Sequence, residues 1–264
     1  MDLKLSILII FCIIFLLFMY YLFTKKNNDN RYITFDEFNS FMNIILEKKN
    51  NDNQFNNYIK TNYNNTVTYK QLNYALDKIN NETIVNIHKN FLSSEECKFL
   101  IKYCQDKLQD SGVFVDNKTI IDNKSRTSKT YFTNINENEI VTDIKKRLIK
   151  FLNIDSNKIE ELQITKYNNG DYYKLHHDYI KELTNKRKYS VIIYLNSLED
   201  DDGGATYFPF YKQKIIPEEG TLIYFDNVFD DNSDNFLTLH ESQPIKKNKD
   251  KYIITAWSRI DNIL

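Results

Sequence analysis

His176 and Asp178 stand two apart in this chain, His240 follows 64 residues after His176, and Lys251 lies 11 beyond that. Two histidines and one carboxylate, with coordination positions left open, are the ligand set of mononuclear non-haem Fe(II) sites. Alternate residues of a strand project to one face. His176 and Asp178 can therefore reach a single ion, while His177 points to the opposite face and belongs to the surroundings of the site. The third ligand has to come from a separate strand brought alongside the first. A lysine near the end of the chain could then hold the far carboxylate of an organic acid.

The chain around these residues reads as a sheet. The runs ELQITKY (161–167), YSVIIYLN (189–196), GTLIYF (220–225) and YIITAWS (252–258) are β-branched and aromatic, and turn residues bound them. Many short strands separated by Gly, Asp and Asn turns indicate a sandwich or jelly roll. Two amphipathic helices precede them, at 93–108 and 141–152, the first with a serine N-cap and early glutamates. The fold expected is mainly β with supporting helices.

Six blocks in fixed order resemble the prolyl 4-hydroxylase family of 2-oxoglutarate- and iron-dependent dioxygenases. They are YNNGDYYKLHHDY (167–179), RKYSVIIYLN (187–196), GGATYFP (203–209), PEEGTLIYF (217–225), LHESQPI (239–245) and KYIITAW (251–257). The likeness begins near FLSSEECKFLI (91–101), and Tyr167 and Tyr173 stand nine and three residues before His176 as in the family pattern. The resemblance implies a double-stranded β-helix (jelly roll) with Fe(II) held by His176, Asp178 and His240. It implies 2-oxoglutarate held by Lys251, Tyr167 and Thr206, L-ascorbate as the reductant that rescues oxidised iron, and a peptide substrate, proline-containing, beside Arg187 and Trp257. The reaction implied is hydroxylation of prolyl residues to 4-hydroxyproline with release of succinate and CO2. The triad does not encode the substrate, so lysyl or small-molecule hydroxylation stays open, as does a membrane-tethered binding module without catalysis.

Single residues carry less than the blocks. A strand-start lysine is usually a solvated edge residue, and Lys247 and Lys249 compete with Lys251. Lys251 is preferred because it lies six before Trp257, as the family has it. An isolated tyrosine among 19 says little. The pair Gly203-Gly204 reads first as a turn. The near-neutral net charge of -1 gives no reason to invoke nucleic acid.

The remaining organisation is read from composition. Residues 5–23 are uncharged and apolar, long enough to cross a bilayer, and no small-residue cleavage site follows. A single-pass membrane anchor over 1–26 is therefore expected. Flanking charge favours a cytoplasmic catalytic domain, the family favours the endoplasmic reticulum lumen, and a viral chain would use a host membrane. Residues 27–82 form an Asn-rich spacer, with helices expected at 33–49 and 69–79 and a polar linker over 50–66. The catalytic domain is assigned to 83–264. Cys97 and Cys104 are seven apart in a helical pattern, too far for a disulfide, and read as small apolar core residues.

Overall fold

A computed structural model of the chain describes residues 32–34, 36–40, 53–63, 67–81, 84–115, 118–134 and 137–263. It divides into two compact units, Met1–Leu76 and Asp77–Leu264. In the first, residues 36–40 are helical, and the rest of the helix expected at 33–49 lies outside the described residues. Helix α1 spans Asn53–Asn62 and helix α2 spans Tyr69–Asn81. Within the polar linker expected over 50–66, Asn53–Asn62 is thus corrected to a helix. Its sparse apolar residues do the work: Ile59 and Tyr63, four apart and so on one face, are both buried.

Among the described residues no helix is long and apolar enough to cross a membrane. That finding corrects the expected single-pass membrane placement, which is withdrawn. Residues 5–23, on which it rested, lie outside the described residues.

The second unit is mainly β. A seven-stranded antiparallel sheet runs β1 (Asn86–His88), β11 (Leu222–Asp226), β8 (Arg187–Tyr194), β13 (Lys251–Arg259), β6 (Gln163–Tyr167), β5 (Lys129–Phe132) and β2 (Gln109–Asp110). A four-stranded sheet runs β10 (Gln213–Ile215), β9 (Thr206–Phe208), β12 (His240–Ser242) and β7 (Tyr173–His176). Strands β3 (Val113–Val115) and β4 (Lys118–Ile120) pair separately. Side chains from both larger sheets line one cavity of about 300 Å³, so the strands form a two-sheet sandwich of jelly-roll type.

Helices α3 (Ser94–Cys104) and α4 (Glu139–Leu152) complete the unit. Ser93 caps α3 in a capping box with Glu96, and Asn138 caps α4. Their apolar residues Cys97, Leu100, Cys104, Val141, Ile144 and Leu148 form one core with Ile164, Val191, Ile193, Leu222, Ile254 and Ala256 of the large sheet. Burial pushes the Cys97 thiol up to about 12 and the Cys104 thiol up to about 11. Neither is a reactive thiolate, and both are packing residues as expected.

Strand parity divides the large sheet. Along β13, Ile254 and Ala256 enter this core with Tyr252 packed against it, whereas Lys251, Ile253, Thr255, Trp257 and Arg259 line the cavity. A period of two along a strand, with apolar groups behind and polar groups in front, is what places the site.

Candidate metal centre

The register of the small sheet brings two histidines together: His240 of β12 lies directly opposite His176 of β7. Directly paired strand residues project to the same face, and the ring centroids are 4.3 Å apart. Asp178 arrives differently. Strand β7 ends at His176, so Asp178 lies in the bend beyond it. The alternating-strand argument therefore does not describe the backbone that carries Asp178 to the histidines. Asp178 Oδ1 is 3.7 Å from His176 Nε2, and Oδ2 is 3.8 Å from His240 Nε2. One ligand atom from each residue can be chosen with all three within 4.8 Å of one another.

Tautomers follow from the outer hydrogen bonds. His176 Nδ1 lies 2.8 Å from the Lys174 carbonyl and His240 Nδ1 lies 2.9 Å from the Thr238 carbonyl. A carbonyl only accepts, so both Nδ1 atoms carry the proton and both Nε2 lone pairs face Asp178. Burial, and then the neighbouring His240, holds His176 below the usual imidazole range; burial does the same to His240 against the opposing pull of Asp178. Burial pushes Asp178 up, but His240, His176, Arg187 and the Ser190 hydrogen bond outweigh it and hold the carboxyl well below its usual range. Two neutral imidazoles with inward lone pairs and one carboxylate are the donor chemistry that a divalent metal requires.

His177 also borders the cavity but is not one of the three clustered donors. Its Nδ1 accepts from Tyr179 N–H at 2.9 Å, so its Nε2–H donates to the Asn235 carbonyl at 2.9 Å. It ties the bend that carries Asp178 to the turn that precedes His240.

The same cavity contains Lys251, which is 0% exposed. Its ammonium donates to the Gly204 carbonyl at 2.8 Å and the Ser242 hydroxyl at 2.5 Å. It lies 4.6 Å from the ring of Tyr167, its cross-strand partner. Among the described residues no carboxylate pairs with it, and burial pushes it down to about 7. A buried ammonium among neutral dipoles favours an anionic ligand. Thr206, also buried, receives a hydrogen bond at 2.8 Å from the Tyr194 hydroxyl. Lys247 and Lys249 are exposed, so neither competes with Lys251 for a place in the cavity.

Gly204 is needed for more than a turn. Its φ is +71°, and a Cβ there would stand 2.4 Å from Ile245 Cδ1 and 2.8 Å from Leu198 Cδ1. Glycine alone lets its carbonyl approach Lys251.

At the other end of the cavity, Arg187 stacks on Trp257 at 3.5 Å. Its guanidinium also binds Glu160 through two hydrogen bonds of 2.8 and 2.9 Å, and Arg259 shares that carboxylate at 2.6 Å. Arg126 donates to the hydroxyls of Ser128 and Thr130 at 2.8 and 3.2 Å and lies 4.8 Å from the Tyr173 ring. The cavity therefore gathers all eight residues picked from the sequence: His176, Asp178, His240, Lys251, Tyr167, Thr206, Arg187 and Trp257. It adds Arg126, Glu160, Ser242 and Arg259, which the sequence reading missed. Arg259 was legible by parity, two residues after Trp257 on the inward face of β13. Arg126 and Glu160 lie outside the long strands and carry no periodic signal.

Comparison with known proteins places this arrangement in a class. Residues 162–259 match the 2OG-Fe(II) oxygenase superfamily. A probable prolyl 4-hydroxylase 8 of Arabidopsis thaliana is 31% identical over 211 residues, covering 70% of this chain and 71% of that protein. A putative prolyl 4-hydroxylase of Acanthamoeba polyphaga mimivirus is 27% identical, covering 69% of this chain and 76% of the relative. The solved viral collagen prolyl hydroxylase of Paramecium Bursaria Chlorella virus-1, in its 2OG complex, superposes with a TM-score of 0.56 at 28% identity, over 67% of this chain and 96% of that one. The chain belongs to the prolyl 4-hydroxylase family of the 2OG-Fe(II) oxygenases.

Proposed function

We propose that the chain is an Fe(II)- and 2-oxoglutarate-dependent dioxygenase that hydroxylates prolyl residues of a peptide to 4-hydroxyproline. The observation that carries this reading is the convergence of three metal-type donors and one buried, acid-free lysine in a single cavity. His176, Asp178 and His240 are the residues that would hold the iron, through two Nε2 lone pairs and a carboxylate oxygen. With Fe(II) and 2-oxoglutarate bound, the centre supplies O2 activation, placing one oxygen atom on the substrate C–H and the other in succinate as CO2 leaves.

The protein's own residues do the binding and positioning. The Lys251 ammonium pairs with the far carboxylate of 2-oxoglutarate, and the hydroxyls of Tyr167 and Thr206 hydrogen-bond beside it. The charge-assisted contact supplies affinity and fixes orientation. The apolar side chains of Ile192 and Ile253 line the cavity beside these residues. Arg187, held flat against Trp257 and clamped by Glu160, presents a rigid mouth for the peptide. A proline-rich segment is extended and stiff, which suits docking in such a groove. L-ascorbate is proposed as the reductant that restores Fe(II) after turnover without substrate.

The test incubates the full chain with Fe(II), 2-oxoglutarate, ascorbate and a panel of proline-, lysine- and non-peptide substrates. Succinate formed mole for mole with hydroxyproline is the expected result. Coupled turnover on lysyl or small-molecule substrates alone would reassign the substrate. No succinate under any condition would make the chain a binding module.

A further inference from the structure

Asp178 differs from the two histidines in how it is held. His176 and His240 are fixed by strand pairing, each with a backbone carbonyl behind its ring. Asp178 lies past the end of β7, where no ladder fixes its backbone. Its carboxylate is gripped from the opposite sheet instead. Ser190, in the middle of β8, donates its hydroxyl to Asp178 Oδ2 at 2.6 Å. That hydroxyl has one proton and two acceptors within reach, since Asn227 Oδ1 stands 3.3 Å away. The nearer, ionised acceptor wins it. The Asn227 amide donates back into the Ser190 oxygen at 2.8 Å, which leaves the hydroxyl no other rotamer that satisfies both neighbours.

Asn227 is fixed in turn by its backbone. Its N–H donates to the Lys188 carbonyl at 2.7 Å and its carbonyl accepts from Asn235 N–H at 3.0 Å. Ser190 and Asn227 are both 0% exposed. The mechanism above uses neither. A buried donor chain ending on a carboxylate fixes that group's orientation before any ligand arrives, and partners behind a ligand of this kind tune metal affinity.

We propose that Ser190 and Asn227 are positioning residues that act in series, Asn227 aligning the Ser190 hydroxyl and Ser190 aligning the Asp178 carboxylate for the metal. The inference rests on the ligand reading of His176, Asp178 and His240. A series arrangement has a consequence that general packing lacks. Asn227 acts on the metal only through the Ser190 oxygen, so its effect vanishes when that oxygen is absent.

The test is titration of Mn(II) into the full chain, read by the paramagnetic resonance of the free ion, for Ser190→Ala, Asn227→Ala, the double variant, Ser190→Thr and His240→Ala. Thermal unfolding of each metal-free variant runs in parallel. Ser190→Ala is expected to weaken Mn(II) binding about 10–100-fold. Asn227→Ala should weaken it less, the double variant should match Ser190→Ala, and Ser190→Thr should restore most of the affinity. Wild-type Mn(II) affinity in Ser190→Ala, with His240→Ala abolishing binding, overturns the inference and leaves the ligand set standing. Losses that multiply in the double variant overturn the series arrangement. Unchanged binding in His240→Ala brings down the ligand reading and this inference together. Should Ser190→Ala not fold, Ser190→Cys fills the site with a slightly larger, much weaker donor, and wild-type affinity there overturns the inference equally.

Discussion

The two faces of the large sheet are made by the same strands and obey opposite rules. On the helix-covered face Ile164, Val191, Ile193, Ile254 and Ala256 are buried and apolar, and their packing with α3 and α4 needs no partner outside the chain. On the cavity face Lys251 is also buried but polar, as are Thr206 and His240 of the sheet opposite. Burial of apolar surface stabilises the fold, whereas burial of Lys251 without an acid works against it. One face carries stability, and the other holds polar groups that the proposed function pairs with a metal and a dicarboxylate. Folded domains tolerate such unmet groups where function needs them.

The sharpest way to break this contrast is to remove the donors. His176→Ala, Asp178→Ala and His240→Ala are each expected to reduce succinate formation to background while the chain stays folded by circular dichroism. Near-normal turnover in any one would take that residue out of the ligand set. His177→Ala, which leaves all three donors in place, should be far milder.

Lys251→Ala should raise the 2-oxoglutarate requirement by about two to three and a half orders of magnitude, since breaking a buried charge pair costs about 3–5 kcal/mol. Metal binding should survive it. Lys251→Arg should recover only part of the function, because a planar guanidinium must enter a pocket shaped around an ammonium. On the other face, Ile254→Ala should lower unfolding free energy by about 2–5 kcal/mol in urea titration, with turnover per folded molecule unchanged.

A smaller effect separates the faces by pH. Burial brings Lys251 down to about 7 from an ordinary 10.5. Between these values the unfolded chain holds a proton that the folded chain lacks, so this residue's contribution to stability improves as pH rises through the window. Binding of a dianion has the opposite sign, because it needs the ammonium and takes up that proton. Affinity for 2-oxoglutarate should therefore fall above about pH 7, by at most about tenfold per pH unit, and Lys251→Ala should flatten that slope. Smallest of all, Lys249→Ala and Lys247→Ala should be nearly silent. Both are exposed, and Lys247 has only an exposed ion pair with Asp201.

Much of this contrast is visible in the chain itself. The long strands β6, β8, β11 and β13 announce themselves because their apolar residues recur against a polar background, and α3 and α4 carry recognisable caps. The ligand set and Lys251 stand out through spacing within ordered blocks. Strands β7, β9, β10 and β12 have three or four residues each, too few for a period to emerge, yet β7, β9 and β12 bear or flank the site. Ser190 and Asn227 escape for another reason. A serine in a strand and an asparagine after one are ordinary in sequence, and only the fold brings them to Asp178. Helix α1 was hidden by its Asn-rich composition, which masks the buried Ile59 within it and Tyr63 just after it.

The division between the faces is tested most directly on two strand neighbours, Lys251→Ala and Ile254→Ala. Each would be measured for 2-oxoglutarate affinity in the Mn(II)-loaded full chain and for urea stability. The account predicts that Lys251→Ala loses affinity steeply and keeps its stability, while Ile254→Ala loses stability and keeps its affinity. Wild-type affinity in Lys251→Ala, or a steep loss of affinity in folded Ile254→Ala, would contradict it.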